Sequence, residues 1–148
     1  MSTSTAVTAS IPSGVASRVL REGYGPGAWH GADLKAALTD VSPALAFRRP
    51  AARRHNIAEI ALHHAYCVRT VRARLSGRDA EPFVLPGEDW FDLESETTVT
   101  WRTVRATVDA EQQQLGDLVA AIEAGTAASP VPDGERFDVV LGITCHAI

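Results

Sequence analysis

Apolar side chains recur every three or four residues between positions 56 and 75, a stretch without glycine or proline. This period places them on one face of a helix. They are Ile57, Ile60, Ala61, Val68, Val71 and Leu75. Two adjacent histidines lie in the middle of the stretch, and at about 100° per residue His64 falls near the centre of the stripe and His63 at its edge. A buried imidazole needs a hydrogen-bonding partner or a metal ion, so this pair marks either a metal site or a packed core.

Similar periods predict the other helices. They cover about 12–22, 32–39, a short segment over 43–47, 97–124, and the chain from about 135 onward. Gly77 and Gly125 are expected to end the two long helices, because helices commonly stop on a left-handed glycine. The connector 78–95 is longer than most helix–helix turns, and loops of this length often cover a site.

The last predicted helix is apolar on almost all sides, which is typical of a buried helix. No run of the sequence alternates as a half-buried strand does. The sequence therefore predicts an all-α four-helix bundle over residues 12–148, preceded by a disordered tail over 1–11 that is rich in serine, threonine and alanine. Metal sites in such bundles are built from side chains on facing helices.

Composition narrows the class of protein rather than its chemistry. With 45% hydrophobic and 22% charged residues, the chain suits a soluble globular domain, and its net charge of −4 argues against a nucleic-acid binder. The arginines at 48, 49, 53 and 54 are expected to be solvated. Without a signal peptide or a membrane-spanning run, we expect a cytoplasmic protein with no membrane partner. Cys67 and Cys145 suit a reducing compartment and are expected to be small core residues.

Histidine is the candidate metal ligand of this chain, which has five of them. Neutral imidazole binds zinc, nickel, copper and iron, and a catalytic zinc site needs about three protein ligands and one open position. A single histidine on a helix is more often a packed or surface residue. On this basis His30 is expected to be a pocket or surface residue, and His55, at a helix start, to be solvated or capping.

The order of several motifs resembles the DinB/YfiT-like family of metal-dependent proteins over about residues 12–148. The motifs are Trp29-His30-Gly31, Leu34 with Leu38, segment 56–63 (NIAEIALH), Arg74-Leu75-Ser76-Gly77, Trp90, Trp101 and segment 141–146 (LGITCH). The resemblance implies a four-helix bundle with three histidine ligands for a divalent metal ion, Zn²⁺ or Ni²⁺. One ligand follows an acidic residue by four positions, as His63 follows Glu59. The other two form a pair four residues apart on the last helix, and His146 matches the first.

The second histidine of that pair would fall at position 150, beyond the last residue, Ile148. We therefore expect a truncated last helix and two of the family's three ligands, His63 and His146. Cys67 lies one helical turn after His63, so a site made of His63, Cys67 and His146 is an alternative.

The resemblance also implies thiol-linked chemistry: transfer of a small-molecule thiol to an electrophile, or a related isomerisation or hydrolysis. The residues identify no catalytic side chain beyond the metal ligands and no organic cofactor site. Trp29, Trp90 and Trp101 are expected to line the pocket or, more in keeping with their type, to pack in the core. The alternative function is a non-catalytic helical module that dimerises or binds a partner, with ordinary core histidines.

Overall fold

The computed structural model describes residues 11–29 and 31–147. It contains six α-helices, which are Val15–Tyr24 (α1), Leu34–Thr39 (α2), Pro43–Ala46 (α3), Ile57–Ser76 (α4), Trp101–Glu123 (α5) and Asp133–His146 (α6). The first ten residues of the predicted tail lie outside the described residues, as do His30 and Ile148.

Four of the helices form the bundle. Helix α4 packs against α5 and α6, and α1 packs against the same two helices, so α1, α5, α4 and α6 form a closed ring. The short helices α2 and α3 contact α1 and α4 respectively. The described residues contain no strand. The predicted all-α bundle is confirmed, with two short helices added to it.

The ends of α4 follow from its sequence. Asn56 caps the first turn by accepting a hydrogen bond from the backbone N–H of Glu59, and the Glu59 side chain accepts one from the backbone N–H of Asn56. This reciprocal capping box satisfies two backbone donors that a helix start leaves free. At the other end Gly77 adopts φ +68°, the left-handed conformation that the sequence predicted for it.

Helix α5 begins at Trp101, four residues later than its pattern predicted. Thr100 caps it by accepting a hydrogen bond from the N–H of Thr103. The buried positions of α5 are Trp101, Val104, Val108, Gln112, Leu115 and Val119. Gln112 thus occupies the core at the place where the apolar period has a gap.

The hydrophobic core has two parts with polar side chains between them. One part surrounds Leu62 and Val108, and the other surrounds Val68 and Leu115. His64 on α4 and Gln112 on α5 fall between these parts along their helices and are 4% and 8% exposed. Buried polar groups need partners, and this polar layer leads to the site described below.

Two burial predictions are wrong. Helix α6 buries only one face, and Leu141 on its other side is 40% exposed. In α4, Ile60 is 50% exposed although it belongs to the apolar stripe. The bundle covers each helix only on the sides where another helix packs, so an apolar residue elsewhere stays in contact with solvent.

The connector, which spans 77–100 between α4 and α5 instead of the predicted 78–95, is fixed to the start of α4 by a buried carboxylate. Glu59 is 1% exposed and accepts hydrogen bonds from the backbone N–H of Leu93 and from Arg49, at 2.9 and 2.6 Å. The Asn56 amide donates to the carbonyl of Leu93 at 2.6 Å. The expectation of a solvated arginine cluster is wrong for Arg49, which also pairs with Asp92 of the connector.

None of the described helices is long and apolar enough to cross a membrane.

Candidate metal centre

Three side chains with metal-binding atoms converge where α4 and α6 meet. They are His63 and Cys67, one turn apart on α4, and His146 in the last turn of α6. One ligand atom from each lies within 4.8 Å of the other two. The structure thus brings together His63 and His146, the two histidines singled out in the sequence, and adds Cys67 from the alternative set.

The orientation of the His63 ring is set by the connector. Its Nδ1 lies 3.0 Å from the backbone carbonyl oxygen of Asp89 and 3.0 Å from the Asp89 carboxylate. Both partners can only accept, so Nδ1 carries the proton and Nε2 of the neutral ring has the free lone pair. That Nε2 lies 3.7 Å from the Sγ of Cys67. A carboxylate on the far nitrogen is the usual support of a metal-binding histidine.

Trp90 lies between two histidines. Its ring stacks on His63 with centroids 3.8 Å apart and on His55 at the same distance, with interplanar angles of 6° and 12°. Trp90 is 41% exposed, so core packing was the wrong expectation for it. Trp29 is 90% exposed and also lies outside the core, whereas Trp101 is 3% exposed as expected.

His55 is half exposed and also tied to the site's surroundings. Its Nδ1 lies 3.1 Å from Glu59, so the ring both stacks on Trp90 and contacts the carboxylate that anchors the connector. It is not one of the three converging side chains. The expectation that His55 is solvated is only partly right, because half of its side chain is covered.

His146 contacts the second histidine of α4 as well. Its Nδ1 lies 3.1 Å from the Nδ1 of His64, and the centroids of its ring and the His63 ring are 5.1 Å apart. His64 is buried, as the helical period predicted, and its Nε2 has no hydrogen-bond partner among the described residues. The two adjacent histidines thus differ: His63 belongs to the converging group, and His64 lies behind His146.

The ionisation of these groups follows from burial. Burial lowers the pKa of His64 to about 4, and the nearby His146 lowers it further. The amide of Gln112 opposes this shift, but no hydrogen bond of ordinary geometry reaches Nε2 of His64. Burial and His63 likewise lower the pKa of His146. Burial and the charge of Asp89 raise the pKa of the Cys67 thiol. At neutral pH the two imidazoles are therefore uncharged, and Cys67 must lose a proton to bind a metal ion.

The donor set fits a borderline or soft divalent metal ion. Two imidazole nitrogens and one sulfur suit zinc, copper and nickel better than calcium or magnesium, which prefer oxygen. With bonds of about 2.3 and 2.1 Å at a tetrahedral angle, a sulfur and a nitrogen on one zinc ion lie about 3.6 Å apart. The 3.7 Å between Cys67 and His63 matches that separation.

Cys145 does not take part. It is exposed, which corrects the expectation that it packs in the core, and it is absent from the converging group although His146 follows it directly. Successive helical residues point about 100° apart, so the side chain before a site residue faces elsewhere. Cys67 is partly buried.

Asp89 is the functional candidate that sequence reasoning missed, and Trp90 was named only as one of three tryptophans expected to line the pocket or to pack in the core. The available signal was the acidic and aromatic run 88–92 in a connector longer than usual. The sequence could not place that run over His63, because its position depends on the bonds that Glu59 and Asn56 make to Leu93.

A groove along α4 and α6 opens beside His146. Its volume is about 510 Å³, and Val71, Val139 and Ile143 supply its apolar wall. Arg74, Glu135 and Asp138 lie at the groove and make it charged in part. A small molecule in this groove would pack against the apolar wall and lie beside His146.

Comparison with known proteins agrees with the fold. The sequence model of the DinB superfamily matches residues 28–143, which is most of the chain. Neither the curated proteins nor the solved structures contain a match. The match spans α2 to most of α6 and includes His63 and Cys67, and it ends three residues before His146. The chain belongs to the DinB superfamily.

Proposed function

We propose that this protein binds a divalent metal ion, Zn²⁺ or Ni²⁺, through His63, His146 and Cys67, and uses it in the transfer of a small thiol to an electrophile. The observation that carries the proposal is the convergence of the three ligand atoms within 4.8 Å. Three protein ligands leave a fourth position open, as in catalytic rather than structural zinc sites.

A divalent metal ion with an open position stabilises the thiolate of a bound thiol and so supplies a nucleophile at neutral pH. The chain's own residues would do the rest. Asp89 holds the His63 ring so that Nε2 is free, and Trp90 covers one face of that ring. Because burial lowers the pKa of His146, its ring is uncharged at neutral pH and no proton has to be displaced from it when a metal ion binds.

Cys67 itself is poorly suited to be the nucleophile. Burial and Asp89 raise the pKa of its thiol, and a protonated thiol is not reactive. The ligand role of Cys67 is supported instead by its convergence with His63 and His146, and an external thiol is then the reacting group. The groove beside His146 would hold the apolar part of a substrate.

The test is metal binding by single-site variants. His63→Ala and Cys67→Ser should each lose most of the bound metal in an elemental analysis of protein dialysed against Zn²⁺ or Ni²⁺. The matched control is Cys145→Ser, which removes the exposed cysteine before His146 and leaves the three converging side chains in place. Equal metal content in wild type, His63→Ala and Cys67→Ser would exclude this site.

The thiol reaction needs a separate assay. Loss of free thiol from a mixture of a small thiol and an activated electrophile should be faster with metal-loaded wild type than with His63→Ala. Val139→Trp, which fills the groove, should slow the reaction and leave metal content unchanged.

The alternative is a non-catalytic helical module, and exposed apolar side chains on two bundle helices favour it. Ile60 is 50% exposed and Leu141 40% exposed. A folded protein that holds no metal, consumes no thiol and forms a homodimer in light scattering would support this alternative. Replacement of Ile60 and Leu141 by glutamine should then dissociate the homodimer.

A further inference from the structure

His64 lowers the stability of the core in which it lies. It is 4% exposed, and its Nε2 is buried without a hydrogen-bond partner among the described residues. A polar atom left in this state costs about 1–3 kcal/mol relative to a satisfied or apolar group. Its neighbours along the buried face of α4 are Ala61, Ala65 and Val68, which give no reason for an imidazole there.

We propose that His64 is a positioning residue for His146: its Nδ1 accepts a hydrogen bond from the Nδ1–H of His146 and leaves Nε2 of His146 free to bind the metal ion. The inference rests on the proposed function and assigns His64, which is not one of the three ligands, a part in it. The contact that carries it is the 3.1 Å distance between the two Nδ1 atoms.

Two neutral imidazoles can share this contact in only two ways. Each ring has one proton, and one of the two Nδ1 atoms must donate while the other accepts. If His64 donates, His146 has its proton on Nε2, and neither nitrogen of His146 is available without breaking the contact. If His146 donates, its Nε2 keeps a lone pair. Only the second arrangement allows His146 to bind a metal ion while His64 fixes its ring.

The second arrangement puts the remaining proton of His64 on Nε2, in the polar layer of the core. Gln112 on α5 is the buried polar side chain whose amide acts on His64. Thr144 of α6 is also buried, but its hydroxyl donates to the carbonyl of Val140. A small movement of the Gln112 amide would therefore satisfy Nε2–H through its carbonyl oxygen.

The two imidazole ligands would then be supported in the same manner from opposite sides. Asp89 accepts from Nδ1–H of His63, and His64 accepts from Nδ1–H of His146. Such partners fix the ring and raise its basicity, and their loss typically weakens metal binding 10–100-fold. The buried, unsatisfied nitrogen is the stability cost of this support.

The proposed role of His64 predicts that a substitution there changes metal affinity and fold stability in different directions. His64→Leu removes the acceptor and also the orphan nitrogen at nearly constant volume. We expect it to weaken metal binding by about 10–100-fold and to leave the melting temperature of the metal-free protein unchanged or higher. A purely structural histidine would give the opposite result, with lower stability and unchanged affinity.

The experiment measures the Kd for Zn²⁺ by competition with a chromophoric chelator and the melting temperature after chelation. It compares wild type, His64→Leu, His64→Met and His64→Gln. Glutamine can still accept from His146, so its affinity should lie between those of wild type and the leucine variant. Cys145→Ser, which changes the exposed neighbour of His146, is the control and should bind Zn²⁺ as wild type does.

If wild type fails to bind Zn²⁺ or Ni²⁺, both the proposed function and this inference fall. If wild type binds Zn²⁺ and a folded His64→Leu or His64→Met variant binds it equally well, only the inference falls. If the leucine variant does not fold, the methionine variant decides. A second readout is the long-range ¹H–¹⁵N spectrum of Zn²⁺-loaded wild type. Zinc on Nε2 of His146 with a protonated Nδ1 is expected, and zinc on Nδ1 would overturn the inference.

Discussion

Nδ1 of His63 lies 3.0 Å from two oxygens of one residue, the backbone carbonyl and the carboxylate of Asp89. Asp89 itself has φ +63°, a left-handed conformation that aspartate tolerates better than most residues. The connector therefore determines which nitrogen of His63 is protonated, although the ring belongs to a helix. This relationship makes the connector part of the candidate site.

The first prediction concerns the carboxylate of Asp89. Asp89→Gly keeps the left-handed backbone and the carbonyl acceptor but removes the charged one, so we expect about tenfold weaker Zn²⁺ binding. Asp89→Asn keeps an oxygen acceptor and should bind more tightly than the glycine variant. Isothermal titration would measure both. Glu88→Gln, at the exposed neighbouring position, is the control, and a glycine variant with wild-type affinity would contradict the prediction.

The second prediction concerns the crossing of α1 and α6. Gly23 is buried, and a methyl group on it would collide with the side chain of Thr144. Gly23→Ala should lower the free energy of unfolding by about 1–3 kcal/mol, because an overpacked contact forces the helices apart. Urea denaturation measures the loss. Gly116→Ala on α5 meets open space and should not destabilise the protein.

Since α6 carries His146, the same substitution should also weaken metal binding. Thr144→Ser removes the colliding methyl group and should restore part of the stability in the double variant. Additive effects of Gly23→Ala and Thr144→Ser would show that the two side chains do not meet.

The third prediction concerns acid. The pKa of His64 is about 4 in the folded chain and about 6.5 when unfolded, so the unfolded chain binds the proton more readily. Protonation of His64 therefore destabilises the fold: the stability is unaffected above pH 6.5 and falls as the pH drops toward 4. The whole shift corresponds to a loss on the order of 3 kcal/mol.

Urea titrations of the metal-free protein between pH 7 and 4.5 would measure this loss. His64→Leu has no imidazole at the position and should lose less stability over the same interval. Equal loss in wild type and the variant would show that His64 is not the titrating group.

The fourth prediction concerns the anchor of the connector. Burial by itself raises the pKa of Glu59, but hydrogen bonds from Leu93, His55 and Asn56 and the charge of Arg49 outweigh it and lower the pKa. Its stabilising effect is therefore present above the ordinary pKa of glutamate and is lost in acid below it. Glu59→Ala should cost about 3–5 kcal/mol, because Arg49 and three donors lose their partner.

Glu59→Gln keeps the shape and one acceptor and should cost less. In both variants the connector is released, so the tryptophan emission should shift to the red as Trp90 leaves the two histidine rings. Asp92→Asn, which affects only the exposed partner of Arg49, is the control. Unchanged stability in Glu59→Ala would mean that the carboxylate does not hold the connector.

The sequence predicted the helices well because their signals are local. The capping box at Asn56 and Glu59, the stop at Gly77 and the apolar period of α5 each depend on residues within a few positions. It predicted which histidine of the adjacent pair is buried for the same reason. Burial on the outer sides of α4 and α6 was predicted wrongly, because local pattern does not tell where a neighbouring helix packs.

The candidate site was only partly predictable. The resemblance to the family pointed to His63 and His146. The helical spacing of one turn after His63 allowed Cys67 as a further ligand. Asp89 and Trp90 come from a connector without regular structure, and their positions depend on bonds between Leu93 and the start of α4. The contact between His64 and His146 joins residues 82 positions apart.

The sequence by itself determined an all-α chain of this superfamily, the approximate extent of its helices and the residue types that could bind a metal ion. Only the tertiary structure decided that Asp89 contacts Nδ1 of His63, that Cys67 faces the two histidines and that His64 contacts His146. The physical reason is that helix formation depends on neighbours in sequence, whereas hydrogen-bond direction and burial depend on side chains that meet only after the helices have packed.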